Sequence, residues 1–257
     1  MDAIDRFRLD GKVAIVTGGG GGIGGVYGRA LAAAGASVVL ADLLGDAAQA
    51  AAAALEADGF AASGVAVDVT DRASTDGMAA HAVSTYGGID ILVNNAALMK
   101  EIPFGDLLEV TADLFDAVMR VNVLDAIHCA ASVKASMLER GGGLIINQVS
   151  AGAFTPGGLY GISKLGLVNA TATLATSLGP LGINVNAIAP GLVMNDAGYA
   201  SLAEDSPVRA AIAAGVPGKK QAPAEDLAGA LLLLASDAGA WINGQTISVD
   251  GGWVIRL

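Results

Sequence analysis

The chain alternates between short runs that are apolar almost without interruption and longer stretches whose apolar residues return every three or four positions. Seven runs are of the first kind: Val13 to Val16, Ser37 to Ala41, Ala62 to Val67, Ile89 to Val93, Gly143 to Val149, Ile183 to Ala189 and Thr246 to Val249. Strands that bury both faces read this way, because neither side of the pleat is left to water. Between them lie helical patterns at Val26 to Ala34, Asp46 to Asp58, Asp71 to Tyr86, Thr111 to Arg140, Leu159 to Leu178 and Ala224 to Ser236. Strict strand and helix alternation predicts an α/β chain with a doubly wound parallel sheet of about seven strands flanked by helices.

Boundary residues agree with this pattern. Gly35, Gly59 and Gly87 follow helical stretches, where a left-handed residue ends a helix. Pro223 stands near the start of the last helix, with Glu225 and Asp226 in its first turn, where the positive dipole end favours carboxylates. No linker divides residues 1–257, so a single domain is expected, with residues 191–223 as an insertion. That insertion holds a short helical piece around Val208 to Ala214 and follows a strand's carboxyl end, the usual place for a substrate loop. Two helices, Thr111 to Arg140 and Leu159 to Leu178, carry apolar residues on more than one face. They predict a homo-oligomer, a dimer or tetramer, with these helices at its interface.

Composition narrows the partners. The chain is 53% hydrophobic and 15% charged, with a formal net charge of −11, a balance that disfavours nucleic acid and anionic membranes and suits a small-molecule substrate. Cys129 is the only cysteine, so no internal disulfide can form and a reducing cytoplasm is the expected compartment. The run Leu227 to Ala235 is too short to span a bilayer and reads as a buried helix. His81 and His128 lack company at metal-ligand spacing, so no metal is expected.

The stretch from Thr17 through five consecutive glycines, Gly18 to Gly22, to Ile23 and Gly24 lies between the first strand and the first helix. Glycine there lets backbone bend sharply and approach a ligand, and strand, glycine turn and helix in that order form a phosphate cradle. Asp42 ends the second strand, twenty residues beyond Gly22, where a carboxylate can accept hydrogen bonds from an adenosine ribose. Its charge would repel a 2′-phosphate, and Gly19, Gly20, Leu43 and Leu44 offer no basic side chain to hold one. The expected cofactor is therefore NAD, bound on a Rossmann-like sheet.

Tyr160 and Lys164 sit four residues apart at the start of a helix, on one face. A tyrosine with pKa ~10 is a poor base near neutrality, and a nearby ammonium favours its phenolate. Ser150 closes the fifth strand, where its hydroxyl could donate to a carbonyl oxygen as charge builds on it.

Together these residues resemble the short-chain dehydrogenase/reductase family over the whole chain. The shared motifs run from Thr17-Gly18 and Gly22-Ile23-Gly24 through Asp68-Val69, Asn94-Asn95-Ala96-Ala97, Asn122, Ser150 and Tyr160 to Lys164, then Pro190-Gly191 and Val249-Asp250-Gly251-Gly252. The resemblance implies an NAD(H)-dependent oxidoreductase interconverting a secondary alcohol and a ketone by hydride transfer. In it Tyr160 is the general acid/base, Ser150 stabilises the reacting oxygen, Lys164 lowers the Tyr160 pKa and binds the nicotinamide ribose, and Asn122 holds a water that links Lys164 to solvent. Gly18, Gly20, Gly22, Ile23, Gly24, Asp42, Leu43, Asp68, Val69, Asn95, Val193 and Asn195 would bind cofactor with Tyr160 and Lys164. Ala97 and Asn195 depart from the family's usual glycine and threonine, and Ser150 lies only ten residues before Tyr160, which shortens the loop between them. Phe154, Leu159, Met194 and Tyr199 are candidate substrate contacts. A 3-oxoacyl-carrier reductase and a catalytically idle NAD-binding module are the alternatives.

Overall fold

The computed structural model describes residues 2–99, 102, 107–194, 205, 210, 214–218 and 222–255. Its main sheet takes strands β1 (Val13–Thr17), β2 (Ser37–Asp42), β3 (Ala62–Ala66), β4 (Ile91–Asn94), β5 (Gly143–Gln148), β6 (Ile183–Pro190) and, after two short strands, β9 (Thr246–Val249). All seven are parallel, in the order β3-β2-β1-β4-β5-β6-β9. The chain leaves β1 toward β3 on one side and resumes at β4 on the other. A crevice therefore opens at the carboxyl ends of β1 and β4, which pair in the register Ile15↔Leu92.

Helices α1 (Gly22–Ala33), α2 (Gly45–Ala57), α3 (Arg72–Tyr86), α4 (Ala112–Met119), α5 (Asp125–Glu139), α6 (Gly158–Leu178) and α7 (Ala228–Leu234) cover both faces. The uninterrupted apolar runs are explained by two cores. Ala14, Val16, Val38 and Leu40 point into one with Leu31 and Leu231, whereas Ile15, Val39 and Leu92 point into the other with Val133 and Met137. Each fully buried Val, Leu or Ile contributes roughly 1.5–3 kcal/mol, so both faces stabilise the sheet. Local signals set the helix ends: Asp71 accepts from Ala73 N at the start of α3, and Gly87 closes it with φ +85°. At the amino edge, Asp90 accepts from Val13 N and from Arg140 Nη2, both at 2.9 Å, which ties β1 to the end of α5.

Several elements differ from the sequence expectation. The first helix begins at Gly22 and not Val26, so glycines enter its first turn, and β4 begins at Ile91. The expected single helix from Thr111 to Arg140 is interrupted: a π-helical turn, Arg120–Leu124, separates α4 from α5. The cause is polar and long-range, because the buried Asn122 in that turn is held by hydrogen bonds from outside its helix. The last helix opens with a 3-10 turn over Ala224–Leu227. The two ends of the 191–223 insertion are tied by a two-residue pairing of β7 (Val193–Met194) with β8 (Ala222–Pro223). The helix expected at Val208 to Ala214 lies largely outside the described residues. Among the described residues no helix is long and apolar enough to cross a membrane, and no cluster of metal-ligating side chains occurs.

Candidate active site

Every site residue predicted from sequence and described in the structure lies at or beyond the carboxyl edge of the sheet. The glycine stretch turns from β1 into α1 with Gly18 at φ +61° and Gly22 at φ +53°, backbone that side chains rarely adopt. A Cβ on Gly24 would clash with the Gly18 carbonyl oxygen and lie 2.8 Å from Asn95 Nδ2, so loop and helix touch backbone to backbone. Gly21 and Gly25 instead border open space. No side chain caps α1 and no acidic residue sits in its first turn. Its amide end is therefore left for an anion, and these residues fit the pyrophosphate of a dinucleotide.

Asp42 faces this loop. Its Oδ2 accepts from Gly20 N and its Oδ1 from Leu44 N, each at 3.0 Å. A Cβ on Gly20 would lie 2.9 Å from Asp42 Oδ2, so the glycine is required by the carboxylate packed on it. Each oxygen retains a lone pair for a ribose hydroxyl. Leu43 and Leu44 beside it are exposed. Asp68 accepts from Thr70 N at 2.9 Å and forms a local turn, while Val69 and Val193 are buried.

The loop is clamped from β4. Asn95 Nδ2 donates to Thr17 O at 3.0 Å and to Gly18 O at 3.1 Å, while Thr17 Oγ1 accepts from Asn95 N and Ala96 N. Thr17 thus organises the crevice, a role the sequence signalled only by placing a hydroxyl at the end of a buried strand.

Ser150 follows β5, and its Oγ accepts from Gly152 N at 3.1 Å. Tyr160, in the first turn of α6, is partly buried among Ile102, Val118 and Leu159. Burial pushes its pKa up to about 12, and a hydrogen bond with Ser150 opposes that rise. Lys164 is fully buried, donates to Gln148 O at 2.9 Å, and has Nζ 5.8 Å from the centre of the Tyr160 ring. Burial outweighs the hydrogen bond with Ser150, so Tyr160 does not show the lowered pKa expected of it. Asn122 donates to Leu98 O and Ser163 Oγ and accepts from Leu98 N at 2.7 Å, which links the β4 loop to α6. Gln148 also accepts from Tyr27 Oη of α1 at 2.7 Å, so one residue joins the cradle helix to Lys164. Sequence reasoning missed Gln148 and Tyr27; a lone tyrosine among the alanines and glycines of α1 was the only cue. Leu159 lies in the apolar cluster against which Tyr160 packs, Phe154 packs instead against Val149, Leu167 and Ala189, and Asn195 and Tyr199 and the side chain of Met194 lie outside the described residues.

A nucleotide cradle and a serine, tyrosine and lysine at one sheet edge define a dinucleotide-dependent oxidoreductase, and the comparisons name its family. The family model described as "Enoyl-(Acyl carrier protein) reductase" matches residues 19–254. The D-threitol dehydrogenase of Mycolicibacterium smegmatis is 37% identical over 97% of this chain and 95% of its own. A gluconate 5-dehydrogenase from Burkholderia cenocepacia, solved with NADP and tartrate, superimposes with a TM-score of 0.92 at 34% identity over 100% of both chains. A 7α-hydroxysteroid dehydrogenase solved with NADH and 7-oxo glycochenodeoxycholic acid gives 0.90 at 33% identity, again over 100% of both chains. The chain belongs to the short-chain dehydrogenase/reductase family. It is an oxidoreductase of that family, which uses a nicotinamide cofactor, and the relatives it resembles are dehydrogenases of CH-OH groups.

Proposed function

We propose that this protein interconverts a secondary alcohol and a ketone with NAD(H), using Tyr160 as general acid/base. The observation that carries the reading is the placement of the half-buried Tyr160 and the buried Lys164 on one face of α6, beside Ser150 and at the same sheet edge as the glycine cradle. The nicotinamide supplies the two-electron exchange with the reacting carbon. Tyr160 exchanges the proton of the substrate oxygen, Ser150 donates to that oxygen, and Lys164 favours the phenolate and holds the nicotinamide ribose. Asn122 keeps the β4 loop and α6 in register and links Lys164 to solvent through water.

The preference for NAD rests on Asp42, whose carboxylate packs on Gly20, and on the absence of a basic residue at positions 19, 20, 43 and 44. At one cofactor phosphate beyond NAD, repulsion and desolvation would both oppose binding. Gly18, Gly22, Ile23, Gly24 and Asn95 would hold the pyrophosphate end, Leu43, Asp68 and Val69 the adenine end, and Val193 the carboxamide. Phe115, Ile127, Ile162 and Leu165 are between 41% and 50% exposed on α4, α5 and α6, which supports a homo-oligomer through these helices.

The test is a panel of polyol, cyclic and hydroxyacyl secondary alcohols, monitored by nicotinamide absorbance with NAD and NADP in parallel. Turnover of a secondary alcohol with NAD is expected. A consistent preference for NADP would overturn the assignment of Asp42, and activity confined to carbon–carbon double bonds would overturn the reaction.

A further inference from the structure

Tyr27 is the one aromatic residue of α1 and is fully buried, and its Oη donates to Gln148 Oε1 at 2.7 Å. Burial pushes the phenol pKa up, so the hydroxyl stays a donor. Gln148 is 7% exposed at the end of β5, two residues beyond Ile146, which shares an apolar core with Tyr27. Alternate strand residues face the same side, so the amide enters that core. A phenylalanine and an aliphatic side chain would fill the same space with no buried polar groups to match, so packing alone does not call for the pair.

The backbone of Gln148 is engaged separately. β4 pairs with β5 only as far as Asn94↔Asn147, and the next two amides, Asn95 N and Ala96 N, donate to Thr17 Oγ1 instead. The Gln148 carbonyl lies one residue beyond that last pair, and Lys164 Nζ donates to it at 2.9 Å. One residue thus holds α1 by its side chain and the Lys164 ammonium by its backbone. That ammonium lies 5.8 Å from the centre of the Tyr160 ring.

We propose that Tyr27 and Gln148 are a positioning pair for the reaction, which sets the Lys164 ammonium against Tyr160 and the nicotinamide ribose from the helix that carries the pyrophosphate cradle. This deepens the function proposed above and rests on the roles given there to Lys164 and Tyr160.

The physical reason lies in the lysine stem. Its flexible aliphatic chain leaves the ammonium free to swing, so the acceptor it donates to decides where the charge sits. Tyr27 fixes the residue that supplies this acceptor, and Tyr27 belongs to the helix whose first turn faces the pyrophosphate. The two ends of one dinucleotide, pyrophosphate at α1 and nicotinamide ribose at Lys164, are thereby held at a set separation.

The experiment places Tyr27→Phe in the parent and in a Lys164→Met background, read by NADH fluorescence titration and by single-turnover alcohol oxidation. Tyr27→Phe keeps the ring in the core and removes only the donor. In the parent it should weaken NADH about threefold and slow turnover about tenfold, because a misplacement of about an ångström at a reacting group is costly. In Lys164→Met it should change neither, since it acts through the ammonium. Equal losses in both backgrounds would overturn the proposal. The stranded Gln148 Oε1 should also lower the melting temperature by roughly 4 °C. Tyr27→Phe combined with Gln148→Met strands no polar group, so it should regain the melting temperature but not the NADH affinity or the rate. Recovery of all three would reduce the pair to a fold contact and overturn the proposal. Should Tyr27→Phe fail to fold alone, this double variant takes its place in both backgrounds. The titration needs no turnover, so it judges the pair even if Tyr160→Phe retains activity and the reaction assignment falls. Losses in Lys164→Met with none in Tyr27→Phe overturn the pair alone, whereas a parent-like Lys164→Met overturns the role of Lys164 and the pair with it.

Discussion

Replacing Gly24 by alanine tests the cradle at its tightest point. The added methyl would meet the Gly18 carbonyl oxygen, with Gly18 C and Asn95 Nδ2 both 2.8 Å away. Two of those atoms are backbone, so the strain cannot be relieved by a rotamer change alone. Overpacking of this kind costs about 1–3 kcal/mol. Displacing Asn95 also weakens its hydrogen bonds to Thr17 O and Gly18 O, at 3.0 and 3.1 Å, for about 1 kcal/mol each. The sum is about 3–4 kcal/mol, since the contributions overlap. Gly77→Ala is the matched control: Gly77 lies exposed within α3, with no atom within 4 Å of the place its methyl would take, so the change should gain about 1 kcal/mol of helix propensity. Urea unfolding reads both stabilities, and NADH fluorescence titration reads the cradle. Gly24→Ala should shift the urea midpoint down and weaken NADH at least about tenfold, because its loop amides no longer converge, while Gly77→Ala leaves NADH binding unchanged. A Gly24→Ala protein that matches the parent in both assays would refute the contact between Gly18 and α1 on which the cradle depends.

Other outcomes follow from the same geometry. Asp42→Ala removes the acceptor of Gly20 N and Leu44 N and should lower NADH affinity about tenfold while narrowing the gap to NADPH, read by parallel titrations; an unchanged ratio would contradict its selectivity role. Asp90→Ala strands the Val13 amide and the Arg140 guanidinium and should cost about 3 kcal/mol, seen as a melting decrease of roughly 8 °C; a decrease under a degree would show that the hub contributes little. Lys164→Met should push the acid limb of alcohol oxidation upward, because Tyr160, already raised to about 12 by burial, then lacks its neighbouring ammonium. A pH profile identical to the parent would argue against that assistance.

Much of this architecture was legible in the chain because the sheet is buried on both faces. Runs such as Val38-Val39-Leu40-Ala41 leave no polar position for water, and each of the seven runs read as strands is a strand of the sheet. What could not be read are features made by long-range polar contacts. The π-turn at Arg120–Leu124 depends on Leu98 and Ser163, far from Asn122 in sequence, so local periodicity shows only one continuous helix. The same holds within the site. Spacing put Tyr160 and Lys164 on one face, but not how far burial would raise the tyrosine, nor that Lys164 would bond Gln148. Asp42 was legible as the end of the second strand; its bond to Gly20, which explains that glycine sterically, emerges only from the fold.

In the proposed reaction Tyr160 moves the proton while the cradle holds the dinucleotide. Tyr160→Phe separates the two, because it removes the hydroxyl and keeps the ring among Ile102, Val118 and Leu159. With any secondary alcohol that the parent oxidises, single-turnover absorbance should show a rate reduced by at least about a hundredfold, with NADH affinity within about threefold of the parent. Parent-like turnover by Tyr160→Phe would contradict the account.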